Sequence, residues 1–197
     1  MKRSEAISKL KQLEGRDLHE LAEEYEVTFL SSNGNVNKGW AGHVLERYLG
    51  LPVNSSQSPD FGSWELKSVS LKRLRNGYLA FKETMAITMI DEYNVKQTGF
   101  EESHLLAKLQ KFVIVARIVG ENSYAPTFIH SVTGVDLSDE LYKVVREDYE
   151  LVRECINDPN RGFSALTGEM GTYIQPRTKG PGHGSISRAF ICQYNQI

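Results

Sequence analysis

The residues best able to do chemistry lie in Pro59-Asp60-Phe61-Gly62-Ser63-Trp64-Glu65-Leu66-Lys67, where an acid at the end of a loop precedes a Glu-x-Lys pair. On a strand, positions two apart project from the same side, so Glu65 and Lys67 share a face. Two carboxylates supply the hard oxygens that magnesium prefers, and that ion keeps several waters, leaving room for a phosphate oxygen. A lysine beside them could orient or deprotonate an attacking water. Together these groups could carry out the metal-assisted hydrolysis of a phosphodiester. Taken alone, an Asp followed by Glu-x-Lys arises by chance in many soluble proteins. Glu46 adds another acid on a preceding helix within reach of the same loop, although a solvated helix position beside Arg47 would read the same way.

The elements that must position these groups are legible from periodicity. Ile7, Leu10 and Leu13 form one helical face that breaks at Gly15, and Asp17 restarts a second short helix with Leu18, Leu21 and Tyr25. A third helix is expected from Gly39 to Leu49, carrying Trp40, Val44, Leu45 and Tyr48, bracketed by Gly34 and Gly50. After a loop rich in Ser, Asn and Pro, Trp64 to Leu71 alternates as a half-buried strand, with Glu65, Lys67 and Val69 on one side. The turn at Asn76-Gly77 predicts a long antiparallel hairpin with a strand over Thr84 to Ile90. Lys72, Arg73 and Arg75 cluster near that turn, where they could meet phosphates or simply be solvated. Phe112 to Val119 reads as a buried central strand and Thr127 to Val132 as another. Ser138 caps a helix running to Asn157, with Leu141, Val144, Val145, Val152, Cys155 and Ile156 facing the core. Beyond it, six glycines punctuate a segment read mostly as loop, with short strands at Thr172 to Gln175 and Arg188 to Gln193. The pattern predicts a mixed α/β domain in which helices flank a central mixed sheet.

Composition sets bounds on this reading. The 197 residues, 40% hydrophobic and 24% charged, can bury one proper core, so a single domain over 1–197 is expected. No stretch approaches the roughly 18 apolar residues of a membrane span, and Met1 to Glu14 lacks a signal-peptide core, so a cytoplasmic protein without membrane contact is expected. Cys155 and Cys192 have neither metal-site spacing nor disulfide density and should be reduced. A net charge of −2 excludes a purely electrostatic nucleic-acid binder, so any DNA contact must come from locally concentrated basic residues.

Several separate motifs, in order, resemble the MutH-type endonucleases, which comprise the mismatch-repair strand nickase and related type II restriction enzymes of the PD-(D/E)xK fold. They start at Gly15-Arg16-Asp17-Leu18-His19-Glu20-Leu21 and strengthen at Asn37-Lys38-Gly39-Trp40-Ala41-Gly42-His43-Val44-Leu45-Glu46 and Tyr48-Leu49-Gly50. They continue through Pro59-Asp60-Phe61, Glu65-Leu66-Lys67, Glu102-Ser103-His104 with Lys108-Leu109, and Tyr173-Ile174-Gln175-Pro176-Arg177-Thr178-Lys179-Gly180. The resemblance implies a restriction-endonuclease-like fold and Mg²⁺-dependent cleavage of double-stranded DNA to 5′-phosphate ends, with GATC as the suggested site. It makes Glu46 the helix-borne acid, Asp60 and Glu65 metal ligands, and Lys67 the catalytic lysine. Lys108 resembles a basic residue near the DNA backbone. Arg177 and Lys179 resemble the loop that enters the major groove, where Arg can bond bidentately to guanine. His183 is a further candidate base contact, although a lone His in a glycine-rich loop is more often exposed polar surface.

The chain departs from the pattern at two places. Only four residues separate Asp60 from Glu65, a gap shared with some monomeric restriction enzymes of the family. Ile191 stands where the repair members carry an aromatic residue, and the chain stops at Ile197, before their further helix. From this we expect an autonomous type II restriction enzyme without an obligate protein activator, acting as a monomer or a transient dimer on DNA. The alternatives are a repair nickase and a catalytically silent DNA-binding subunit.

Overall fold

A computed structural model describes residues 1–30, 34–51, 59–180 and 186–192. The chain forms two compact units, each assembled from two stretches: 1–83 with 112–135, and 84–111 with 136–197.

In the first unit, α1 (Arg3–Lys11), α2 (Leu18–Glu24) and α3 (Trp40–Tyr48) match the three expected helices. Asp17 caps α2 by accepting the His19 N–H, and the same carboxylate takes the Thr127 N–H, tying the helix to the strand Thr127–Asp136. Helix α3 ends as its sequence predicts: Gly50 takes φ +84° and the Leu51 N–H returns to the Glu46 carbonyl. Strand β1 (Glu65–Arg73) turns at Asn76-Gly77 into β2 (Leu79–Phe81) and pairs in parallel with β4 (Lys111–Val119), while β5 (Thr127–Asp136) lies on the far side of β4. Leu66 and Trp64 pack with Val113, Val115 and Ile129 into one core with Ala6, Leu10, Leu18, Leu21, Val44 and Leu45 of the helices. Leu66 pairs with Val113. Glu65 and Lys67, at alternate positions, therefore lie on the sheet face opposite that helical core.

The second unit holds β3 (Met85–Met89), α4 (Glu92–Gln97), α5 (His104–Leu109), α6 (Asp139–Asn157), β6 (Ile174–Thr178) and β7 (Arg188–Cys192). Its sheet runs β3-β7-β6, antiparallel throughout. Ser138 caps α6 through the Leu141 N–H, as expected, and Asp91 and Ser103 cap the two six-residue helices that periodicity did not reveal. Cys155 and Cys192 are both free and buried. Burial pushes the Cys192 thiol up to about 11, against the opposing pull of its hydrogen bond with Tyr173, so it is unreactive at neutral pH.

Three expectations are corrected. The long hairpin does not form: β2, immediately after the turn, is the partner of β1, and Met85–Met89 joins β7 in the other sheet, where Met85 and Ile87 are buried. On α6 the buried stripe is Val145, Asp148, Tyr149, Val152, Cys155 and Ile156, leaving Leu141 and Val144 half-exposed. Arg177 and Thr178 lie within β6, paired with Ala189 and Arg188, and not in a loop. Among the described residues, no helix is long and apolar enough to cross a membrane.

Candidate active site

The Pro59–Glu65 segment shows how so short an acid gap closes. The Gly62 N–H donates to the Pro59 carbonyl at 3.0 Å, Gly62 takes φ +74°, and the Phe61 N–H returns to the Trp64 carbonyl at 3.1 Å. Phe61 stacks flat on Trp64, centroids 3.9 Å apart, and Trp64 is itself 1% exposed, with Nε1 donating to the Met1 carbonyl. A tight turn locked by two aromatic rings therefore folds Asp60 back onto the start of β1.

That folding joins three of the candidate residues. The Asp60 N–H donates to Glu65 Oε2 at 3.2 Å, and Asp60 Oδ2 accepts the Leu66 N–H at 3.0 Å. Lys67 Nζ donates to Glu65 Oε1 at 2.7 Å. The Glu65 side chain is 3% exposed and that of Lys67 16% exposed, so this charge-assisted bond is shielded from water. The backbone N–H groups of Asp60 and Leu66, invisible to side-chain motif reading, do much of the orienting. Glu46 is half-buried on α3, and α3 packs against β1. One turn earlier on that helix, burial holds the His43 imidazole below its usual range, with the Arg47 charge adding to the effect, so His43 is neutral at neutral pH.

The other candidates belong to the second unit. Lys108 is 8% exposed in the last turn of α5. Arg177 is half-buried, and its Nε and Nη2 both donate to Gln175 Oε1, at 3.0 and 2.8 Å. Gly168 lies so near its stem that a Cβ there would stand 3.1 Å from Arg177 Cγ. Lys179 follows, exposed, with its backbone N–H on the Ser187 carbonyl. His183 lies outside the described residues.

A mixed sheet flanked by helices, with an acid and a Glu-x-Lys pair meeting at the start of one strand, defines a restriction-endonuclease-like fold. The family model described as DNA mismatch repair enzyme MutH matches residues 49–148, a stretch that includes Asp60, Glu65, Lys67 and Lys108. The chain belongs to the MutH family. The type II restriction enzyme Sau3AI of Staphylococcus aureus is 23% identical over 167 residues, which cover 76% of this chain and 31% of that enzyme. The chain thus spans about a third of that relative's length. The DNA mismatch repair protein MutH of Vibrio campbellii is 25% identical over 95% of this chain and 81% of its own length, and that of Haemophilus ducreyi is 27% identical over 98% and 84%.

Proposed function

We propose that the protein is a Mg²⁺-dependent endonuclease acting on double-stranded DNA, with Asp60, Glu65 and Lys67 as its chemical centre and Glu46 as an accessory acid. The observation that carries this reading is the hydrogen-bonded corner itself. A carboxylate 3% exposed is costly to bury, and here it is held between a lysine and the backbone of a second acid. The donor set fits magnesium: two carboxylates present hard oxygens, each with lone pairs beyond those engaged by N–H groups, and the ion's remaining positions suit water and phosphate. When bound, that ion would neutralise charge developing on the scissile phosphate. Asp60 and Glu65 would hold it. Lys67, on the same strand face and anchored by Glu65, would orient the attacking water and move its proton.

Arg177 and Lys179 fit the reading of DNA, with Lys108 as a backbone contact. Gln175 fixes the Arg177 guanidinium in one plane, the preorganisation a bidentate base contact requires. Because each compact unit is built from two stretches of chain, we treat 1–197 as one endonuclease domain.

Within this class we favour a type II restriction enzyme over a repair nickase. Ile191, buried in β7 opposite Gln175, replaces the aromatic residue expected of a repair enzyme, and one relative is named as a type II restriction enzyme. The nickase reading has its own support, since relatives named MutH align over more than four-fifths of their length. Purified protein with Mg²⁺ and supercoiled unmethylated plasmid separates the two. Conversion to linear fragments with defined ends is expected, and a transient nicked intermediate is compatible with it. Arrest at the nicked circle, relieved only by a mismatch-repair partner, would favour the nickase.

A further inference from the structure

We infer that the tip of the β1–β2 hairpin is a second, sequence-independent DNA contact that grips the duplex beyond the site of cleavage; this rests on the endonuclease reading above. Between Glu65 and Glu83 the sequence carries Lys67, Lys72, Arg73, Arg75 and Lys82 and no acid, in a chain whose net charge is −2. The charge is therefore segregated onto one hairpin. All of these except Lys67 are exposed, and Tyr78, at the same tip, is 73% exposed.

The tip is also preorganised. The Leu74 N–H donates to the Tyr78 carbonyl at 2.8 Å, the Gly77 N–H to the Leu74 carbonyl at 2.9 Å, and the Tyr78 N–H to Asn76 Oδ1 at 3.2 Å. Gly77 takes φ +86°, and the Arg73 guanidinium donates to the Gly77 carbonyl at 3.0 Å. A fixed turn with the Arg73 guanidinium already pinned loses less entropy on binding a polyanion than a loose loop would.

Position gives the display its role. Arg73 stands on the strand that carries Glu65 and Lys67, in unbroken register, and alternation puts it on the same face. Its place six positions beyond Lys67 corresponds to about 20 Å along the strand at roughly 3.3 Å per residue. Duplex DNA rises about 3.4 Å per base pair, so a duplex lying along β1 meets the tip about six base pairs from the reacting phosphate. That is beyond a short recognition site, where only phosphates and sugars offer a constant partner. Arg73 and Arg75 neutralise phosphates there, and the Tyr78 ring lies against the sugars.

The test is equilibrium binding by the full-length protein, without Mg²⁺, to duplexes of arbitrary sequence over a ladder of lengths and salt concentrations. Arg73→Ala with Arg75→Ala should weaken binding to long duplexes by about tenfold and reduce the salt slope by about 2, one for each phosphate left without its cation. The wild type should need a longer duplex than this variant to reach plateau affinity. Tyr78→Ala should weaken binding several-fold at unchanged slope, and unchanged melting temperatures would show that the variants are folded. An unchanged salt slope, or equal affinity of wild type and variants at every length, would overturn the inference and reserve the surface for another partner, such as an acidic protein. Wild-type protein that binds no duplex would overturn both this inference and the endonuclease reading. Binding with these dependences but without cleavage would leave the hairpin contact standing and overturn only the enzyme.

Discussion

Glu65 and Asp148 are both carboxylates withdrawn from water, 2% and 4% exposed, and their partners differ in kind. Asp148 of α6 accepts three consecutive backbone N–H groups, from Thr172 to Oδ1 at 2.7 Å and from Tyr173 and Ile174 to Oδ2 at 2.7 and 2.8 Å. The chain wraps so closely that a Cβ on Gly171 would meet the Ile174 carbonyl oxygen at 2.2 Å and Asp148 Cγ at 3.0 Å. Fixed backbone donors make Asp148 a staple that sets the start of β6, the strand bearing Arg177. Glu65 instead meets a lysine ammonium and the N–H of another acid, donors on a side chain and a turn. Buried ion pairs of this kind are weak contributors to stability, because desolvation offsets the attraction. A carboxylate saturated by backbone builds a fold, whereas one shared with a lysine and a second acid is suited to reaction.

Breaking each carboxylate should therefore give opposite phenotypes. The largest effect expected is on cleavage: Asp60→Ala or Glu65→Ala should lower the rate with Mg²⁺ by about three orders of magnitude, the scale of removing a preorganised electrostatic contact. Near-normal activity in either variant would dissolve the contrast. Asp148→Ala should instead cost about 3 to 5 kcal/mol in urea unfolding, since it strands two buried N–H groups, of Tyr173 and Ile174, at roughly 1 to 3 kcal/mol each before relaxation, and a part-buried third on Thr172. Glu65→Gln combined with Lys67→Met, which removes both charges of the pair and strands neither, should cost no more than about 1 kcal/mol. Equal destabilisation by the two would make Glu65 a second staple.

Arg177 sharpens the comparison from the side the staple supports. Arg177→Ala should lose about 1 to 3 kcal/mol of discrimination at one base position, with nonspecific binding unchanged; equal weakening on all DNA would make it a backbone contact. The smallest effect belongs to Asp17, a capping carboxylate of the first unit. Burial pushes its pKa up, but the His19 and Thr127 N–H groups and the His19 ring together outweigh that and hold it below the usual range. Its contribution is thus complete above the ordinary carboxylate range and is lost as pH falls through the lowered value. Wild-type melting temperature should fall relative to Asp17→Asn as pH drops below about 4. A constant difference down to the acid limit would contradict the lowered pKa.

The parts of the molecule set by local physics were legible in the sequence. Helices α1 to α3 and α6 follow from 3.6-residue apolar spacing with Asp17 and Ser138 as caps, and strand alternation alone placed Glu65 and Lys67 together. Partnership between distant segments was not legible. Thr84 to Ile90 has a strand's composition, but nothing in it declares β7 over β1, so the predicted hairpin was too long. Asp148 reads as the polar side of α6, because the three N–H groups that permit its burial lie more than twenty residues away. The closed turn that joins Asp60 to Glu65 needed the Phe61–Trp64 stack, which spacing does not reveal.

The most direct test of the Asp60–Glu65–Lys67 centre is Lys67→Ala, with single-turnover cleavage and equilibrium binding measured on the same DNA. Loss of turnover with binding retained is the predicted result, because Lys67 acts on water and not on DNA affinity. Cleavage near the wild-type rate, or a loss of binding as large as the loss of rate, would contradict it.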